Sequence, residues 1–418
     1  MSECANRQFA TDVVSQLRSA GFEALWAGGS VRDLLLGNSP QDFDVATSAT
    51  PEQVRQVFGR RRTLPVGVAF GVVLVLPEDR LVSPVEIATF RTDATYSDGR
   101  HPDRVVFSTA EHDAHRRDFT INGMFYDPLE KTVIDYVGGQ QDLRDGIVRA
   151  IGTAENRIAE DKLRMMRAIR FAARFDFAVE SLTMQAIKRH AHEIVVVSGE
   201  RIGDEVRKTL STDNAAWAFN AWYDSGLLQQ FLPLLATPWP VISQRSMSVL
   251  AALPNKDWCV RLSAVVAESC RVSSTLAEIV DLLRSRLKLS NAEITSIEFA
   301  VRSQTILEQA RETRRSELQP LLTHTDITAA VQLLRGRATL DPNYLEQAQW
   351  LTEQLSMPVS QLDPPVLLNG GDLIQMGIPP SPKFSRLLKQ VRNMQLDGQL
   401  ACKSEAQAWV LANAESIT

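Results

Sequence analysis

The sequence predicts an α+β head of about 150 residues followed by an all-α remainder, and three observations carry that expectation. Up to about residue 150, short strand-like apolar runs bounded by turn formers alternate with helical patterns. Beyond about residue 155, the apolar spacing is almost wholly of helical period. With 418 residues, 44% of them hydrophobic, the chain is long enough to bury several cores, which suggests two to four domains.

Taken in order, Thr11 to Ala20 has apolar residues at helical spacing, and Ala24 to Trp26 reads as a strand. Phe43 to Ala46 is the next strand. Thr50, Pro51 and Glu52 supply an N-cap, a first-turn proline and a first-turn acid, so a helix follows to about Phe58. Gly71 to Leu76, Val85 to Thr89 and Val133 to Tyr136 complete the strands. Asp93 to Asp103 is polar and rich in turn formers; it reads as a mobile loop or, equally, as a surface hairpin. Helices are expected over Asp161 to Phe177, Thr183 to His192, Gly199 to Leu210 and Asn214 to Leu235. Proline-rich breaks at Leu235 to Val241 and Met357 to Pro365 suit joints between helical parts.

Composition narrows the function classes. There is no apolar run of eighteen residues to cross a bilayer, and the start lacks a secretory pattern, so no membrane role and a cytoplasmic location are expected. Cys4, Cys259, Cys270 and Cys402 are too scattered for a zinc site or a disulfide framework. The net charge of -5 gives no general pull towards nucleic acid, so RNA binding would rest on local basic surfaces. Nothing in the sequence points to a protein partner.

Gly28 and Gly29 follow a short apolar strand and precede Arg32 and Asp33 at a helix start. Glycine there lets a phosphate approach the backbone, and Arg32 adds charge, although a plain turn has the same composition. Nine residues on stands Asp42-Phe43-Asp44. In a strand, residues i and i+2 share a face, so the two carboxylates converge on a magnesium site while Phe43 packs behind them. Glu86, in another strand-like run, reads as a third carboxylate or as an ordinary ion-paired surface residue. Arg116 and Arg117 precede an apolar run and suit phosphate or ribose contact, with an ordinary surface ion pair as the alternative. At 100° per residue, Arg164, Arg167, Arg170 and Arg174 fall within about a third of a helix circumference, beside a stripe of Leu163, Met166, Ile169 and Ala173. One face packs and the next offers guanidinium groups to a polyanion, although a solvated basic face has the same composition.

The ordered set GGSVRD, DFD, RRDFTIN, EDKLRMMRAIRF and ERIGDEV resembles the class II tRNA nucleotidyltransferase and poly(A) polymerase family over roughly residues 20 to 235. The resemblance implies a nucleotidyltransferase head of the DNA polymerase beta superfamily with an antiparallel or mixed sheet, followed by an all-α neck, body and tail. The corresponding divisions are 1–150, 151–215, 216–355 and 356–418. It implies that Gly28, Gly29, Arg32, Arg117, Arg167 and Arg170 contact nucleotide, that Asp42 and Asp44 are catalytic and hold Mg2+, and that Asp161 and Arg164 select the base. Hydrogen-bond chemistry agrees with that last role. Cytosine and adenine both set an amino donor beside an unprotonated ring nitrogen, which a carboxylate and an arginine match. Guanine and uracil reverse the order and leave buried charges badly paired.

The implied substrates are tRNA, CTP and ATP, and the implied reaction adds CCA to the tRNA 3′ end, with A-only addition and then poly(A) synthesis as alternatives. The run Leu64 to Gly71 resembles the tRNA enzymes, and the 93–103 loop argues against CC-only addition. Near the end, Lys383, Arg386, Lys389 and Arg392 recur at near-helical spacing and read as an RNA-phosphate grip or a solvated face.

Overall fold

The computed structural model describes residues 2–40, 42–67, 71–93, 105–253, 256–380 and 383–413. The chain divides into two compact units, Met1–Pro233 and Leu234–Thr418. In the first, the helix α1 (Ser2–Ser19) buries Ala10, Val13, Val14 and Leu17. Then come β1 (Ala24–Ala27), α2 (Gly29–Leu35), β2 (Asp44–Thr47), α3 (Pro51–Phe58), β3 (Thr63–Gly67), β4 (Val72–Val75) and β5 (Val85–Thr89). After them stand β6 (Arg91–Asp93), β7 (Val105–Phe107), α4 (Ala110–His115), β8 (Phe125–Asp127) and β9 (Thr132–Ile134).

Seven of these strands form one sheet in the order β3-β4-β5-β2-β1-β8-β9. All neighbours are antiparallel except β2 and β5, so the sheet is mixed. The crossover that makes them parallel runs through α3 and the β3–β4 pair. Thr50 caps α3 in a capping box with Gln53, and Pro51 sits where its missing N–H costs nothing. Strand β3 escapes a sequence reading because Pro65 and Gly67 look like loop residues; at a sheet edge a proline is tolerated. The three-residue β8 is too short to show alternation. Strands β6 and β7 pair separately and antiparallel. Most of the expected 93–103 loop, and residues 68–70 of the Leu64 to Gly71 run, lie outside the described residues.

Beyond the sheet are α5 (Gly139–Asp145), β10 (Ile147–Val148), α6 (Ala154–Glu160), α7 (Arg164–Phe175), β11 (Ala178–Val179), α8 (Ser181–His190) and α9 (Gly199–Leu210). Gly139 lies so close to the Thr120–Asn122 turn that a Cβ there would stand 2.2 Å from the Thr120 carbonyl oxygen. The helix expected from Asp161 is shorter. Asp161 itself is extended (φ -149°, ψ 109°) at the end of α6, and Asp176 closes α7 in a left-handed conformation (φ 57°). The expected continuous helix from Asn214 is broken as well: Ala215–Asp224 and Leu227–Phe231 are separated at Gly226, which has φ 83°.

Among the described residues of Leu234–Thr418 every regular element is a helix. Trp258–Val272 is packed by Trp239–Ala252, Asn291–Arg302 and Ile327–Arg337. A buried polar cluster lies among them: Arg337 meets Glu308 and stands 3.6 Å from Glu268, which takes a 2.7 Å bond from Arg245. A smaller core joins Leu368, Leu373, Leu387, Val391 and Val410.

Candidate active site

The first unit contains a cleft of about 560 Å³ walled by the ends of β1, β2 and β5, the Arg116–Asn122 segment and α7. Local sequence explains how each wall arises. Trp26 and Phe43 pack 4.6 Å apart between ring centroids, which fixes the chain between β1 and β2 from behind. Gly28 takes φ 70°, and a Cβ there would stand 3.1 Å from Arg117 Nη1 and 3.9 Å from Asp44 Oδ2, so glycine keeps the floor open.

On that floor Asp44 begins β2 and is in register with Glu86 on the parallel strand β5. Both line the cleft, where Glu86 is exposed. Desolvation, with the charges of Glu86 and Asp42, pushes the Asp44 carboxyl up to about 6 against the opposing pull of Arg117. Clustered carboxylates of that kind are relieved by a cation, so the donor set fits a hard divalent ion. Among the described residues no group of three or more potential ligands is drawn together as a ready-made metal site. Asp42 precedes the strand rather than lying in it, so the i, i+2 argument does not place it, yet its charge still bears on the Asp44 carboxyl.

Facing the carboxylates is a wall of arginines. Arg32 is buried, donates to Asp33 at 2.8 Å and to Asn122 Oδ1 at 2.5 Å, and lies over the Phe175 ring at 4.5 Å. Arg117 donates to Asp113 at 3.0 Å and to the Asn122 carbonyl at 3.2 Å. Arg167 meets Asp118 through two donors, at 2.5 and 2.9 Å, and Arg170 donates to Glu205 at 2.6 Å. The expected open basic face is thus corrected: Arg167 and Arg170 already have acids brought to them from other elements. Burial alone would raise the Asp118 carboxyl, but Arg167, Asn122 and Arg164 hold it well below the usual carboxylate range.

Asp161 and Arg164 line the same cleft, each held by a third group. Asp161 accepts from Arg201 at 2.7 Å and from the Leu163 N–H at 3.1 Å. Arg164 donates to Glu160 at 2.6 Å and to the Arg157 and Arg116 carbonyls. Gly28, Gly29, Arg32, Arg117, Asp161, Arg164, Arg167 and Arg170 therefore share one cavity. The sequence reading missed Asn122 and Glu205 as its organisers. Asn122 donates to Asp118 at 3.0 Å while accepting from Arg32, so one amide ties two walls together. The RRDFTIN and ERIGDEV motifs contained them, but nothing local revealed their partners 90 and 35 positions away.

The distal basic residues belong to the second unit, on the helix Lys383–Leu396. Arg392 is engaged internally, donating to Asp363 at 2.5 Å and to the Pro364 carbonyl at 2.7 Å, so it ties the helix to the preceding segment. Arg386 and Lys389 are exposed, and the side chain of Lys383 lies outside the described residues. Among the described residues no helix is long and apolar enough to cross a membrane.

A mixed sheet whose paired strands present carboxylates to a cleft walled by arginines defines a nucleotidyltransferase head. Residues 24–149 match the family described as "Poly A polymerase head domain". Residues 176–237 match "Probable RNA and SrmB- binding site of polymerase A", and residues 263–410 match "tRNA nucleotidyltransferase domain 2". A CCA-adding enzyme of Streptococcus sanguinis is 36% identical over 414 residues, covering 96% of this chain and 95% of its own; that of Streptococcus thermophilus is 33% identical over 404 residues, with the same coverage. One from Ligilactobacillus salivarius is 43% identical over 228 residues, so that alignment spans about half the length of either chain, 54% and 55%. The crystal structure of the Bacillus stearothermophilus CCA-adding enzyme in complex with CTP superposes with a TM-score of 0.77 at 27% identity, covering 98% of both chains. The Thermotoga maritima enzyme complexed with tRNA shares the fold, with a TM-score of 0.68 at 22% identity over 97% of this chain and 95% of its own. The chain belongs to the class II tRNA nucleotidyltransferase and poly(A) polymerase family.

Proposed function

We propose that this protein adds C and A nucleotides from CTP and ATP to the 3′ end of tRNA, without a nucleic-acid template and with Mg2+ as the metal. The observation that carries this reading is that the carboxylates Asp44 and Glu86, the arginine wall and the Asp161–Arg164 pair line one cleft. The near full-length likeness to CCA-adding enzymes supports complete CCA addition over the A-only and poly(A) alternatives.

In the reaction, the RNA 3′ oxygen bonds to the α-phosphorus, the bond to the bridging oxygen breaks, pyrophosphate leaves and the hydroxyl proton is lost. Asp42 and Asp44, with Glu86 as a third carboxylate, would hold the metal, which supplies charge neutralisation on the triphosphate and acidifies the attacking hydroxyl. Gly28 and Gly29 let the phosphates approach the backbone, and Arg32 and Arg117 neutralise them. Asp161 accepts from the amino group of cytosine or adenine, and Arg164 donates to the neighbouring ring nitrogen. Holding each of the two by a third group pre-orients them, so little side-chain freedom is lost when the base arrives. Arg167 and Arg170 carry the remaining nucleotide contacts, and Arg386 and Lys389 give the second unit a means of meeting RNA phosphate.

The test incubates purified protein and Mg2+ with tRNA ending at the discriminator base, at C or at CC, offering each nucleoside triphosphate alone and together, with the Asp42→Ala/Asp44→Ala variant alongside. Completion of all three to CCA, with an inert variant, is the expected outcome. Extension of the CC-ended tRNA alone by one A would make this an A-adding enzyme, and long A tails would move it to the polymerase branch. No incorporation would overturn the catalytic reading.

A further inference from the structure

One arginine of the cleft is held unlike the rest. Arg174, in the last turn of α7, lines the cavity with 47% of its side chain exposed, against 4% for Arg32, 9% for Arg170 and 33% for Arg167. Those three are anchored by acids at 2.5–2.7 Å, whereas Arg174 reaches Asp33 at 3.3 Å. Asp33 is already neutralised by Arg32 at 2.7 Å, so two guanidinium groups share one carboxylate and a positive charge is left over. Both cations lie over the Phe175 ring, Arg32 at 4.5 Å and Arg174 at 5.0 Å, so the aromatic directs them to one end of the cleft. Burial lowers the basicity of Arg32, and repulsion from Arg174 adds to the effect. An anion placed between them would relieve that repulsion.

Arg32 belongs to the Gly28–Asp33 segment, where the phosphates are proposed to lie, so the spare charge stands at the phosphate end and away from the base-selecting pair. Asp33 would act as a place-holder, keeping Arg174 beside Arg32 until a stronger anion takes over. We propose that Arg174, together with Arg32, binds the terminal phosphates of the incoming nucleotide and holds pyrophosphate as it leaves. The inference deepens the nucleotidyltransferase reading and rests on it.

Two measurements on Arg174→Ala and Arg174→Lys test this. In steady-state CCA addition, Arg174→Ala is expected to raise the KM for CTP and for ATP by the same factor, about tenfold for one lost charge-assisted contact, with the KM for tRNA unchanged. The pyrophosphate concentration that half-inhibits addition should rise equally, and Arg174→Lys should recover part of both. Equilibrium dialysis supplies a readout independent of turnover: the variant should lose affinity for ATP and retain the wild-type affinity for AMP. A raised KM for tRNA alone would assign Arg174 to the RNA strand and overturn the inference. Unchanged constants, or equal losses for ATP and AMP, would reduce it to a structural tie to Asp33. A wild-type protein that incorporates nothing would instead strike the underlying function, which the dialysis comparison does not presuppose.

Discussion

The two units each gather arginines and carboxylates, and the settings differ. In the first unit, Asp118, Glu205 and Asp33 meet Arg167, Arg170 and Arg32 around an open cleft, each arginine still lining the cavity. In the second, Arg337 and Glu268 are each 1% exposed and sealed among helices, with Tyr344 against the guanidinium. The same ion-pair chemistry thus does two jobs. Around a cleft, pairing sets the direction of a charge that a ligand then uses; inside a closed core, it offsets part of the desolvation that burying the charge costs.

The comparison is sharpened most by Asp44→Asn. Loss of one carboxylate of the metal set should reduce incorporation at least about a hundredfold, because even outer groups around a metal carry effects of that order. The urea midpoint should hold or rise, since the repulsion from Glu86 is removed. A large fall in the midpoint would place Asp44 among the structural residues.

Glu268→Ala is the mirror image. It leaves Arg337 buried with one acid fewer and should cost about 3–5 kcal/mol of stability in urea unfolding, while incorporation per folded molecule is retained. Loss of activity at undiminished stability would break the contrast between the units.

Asp161→Ala should act on choice rather than on rate. Removing the acceptor for the amino group should narrow the preference for CTP and ATP over GTP and UTP by about ten- to a hundredfold, read from single-nucleotide incorporation. Retained discrimination would remove Asp161 from base selection.

The smallest effect concerns acid. Because the folded Asp118 carboxyl lies below its unfolded value of about 3.9, its contribution is fully present above that value and is lost as pH falls through the folded one. Asp118→Asn should therefore cost about 1–3 kcal/mol at pH 7, with the gap from wild type closing below about pH 4. A gap constant with pH would mean that the Asp118–Arg167 pair adds nothing through charge.

What the sequence made legible was local. The turn at Gly28, the Asp44 strand end and the arginines of α7 are set by neighbouring residues and by helical or strand period, so their grouping could be anticipated and the structure gathers them in one cleft. What stayed hidden depends on tertiary placement. Asn122 reads as an ordinary polar residue until the fold sets it between Arg32 and Asp118. Asp161 carries a helical pattern on both sides, yet the chain is extended there, ending α6 before α7 begins at Arg164. The acids facing α7 arrive from the Arg116–Asn122 segment and α9, and no periodicity within α7 announces them.

Gly139 gives the site a hidden dependence. It lies outside the cleft lining, yet its α-carbon is pressed against the backbone of the turn that carries Asn122. Any side chain at 139 must push Thr120 aside, and Asn122 moves with it, loosening Arg32 and Asp118 together. Position 139 therefore has a one-letter alphabet, and its lesions would look like binding defects. An exhaustive mutational map scored by CCA addition would mark it as intolerant beside the arginines it never touches.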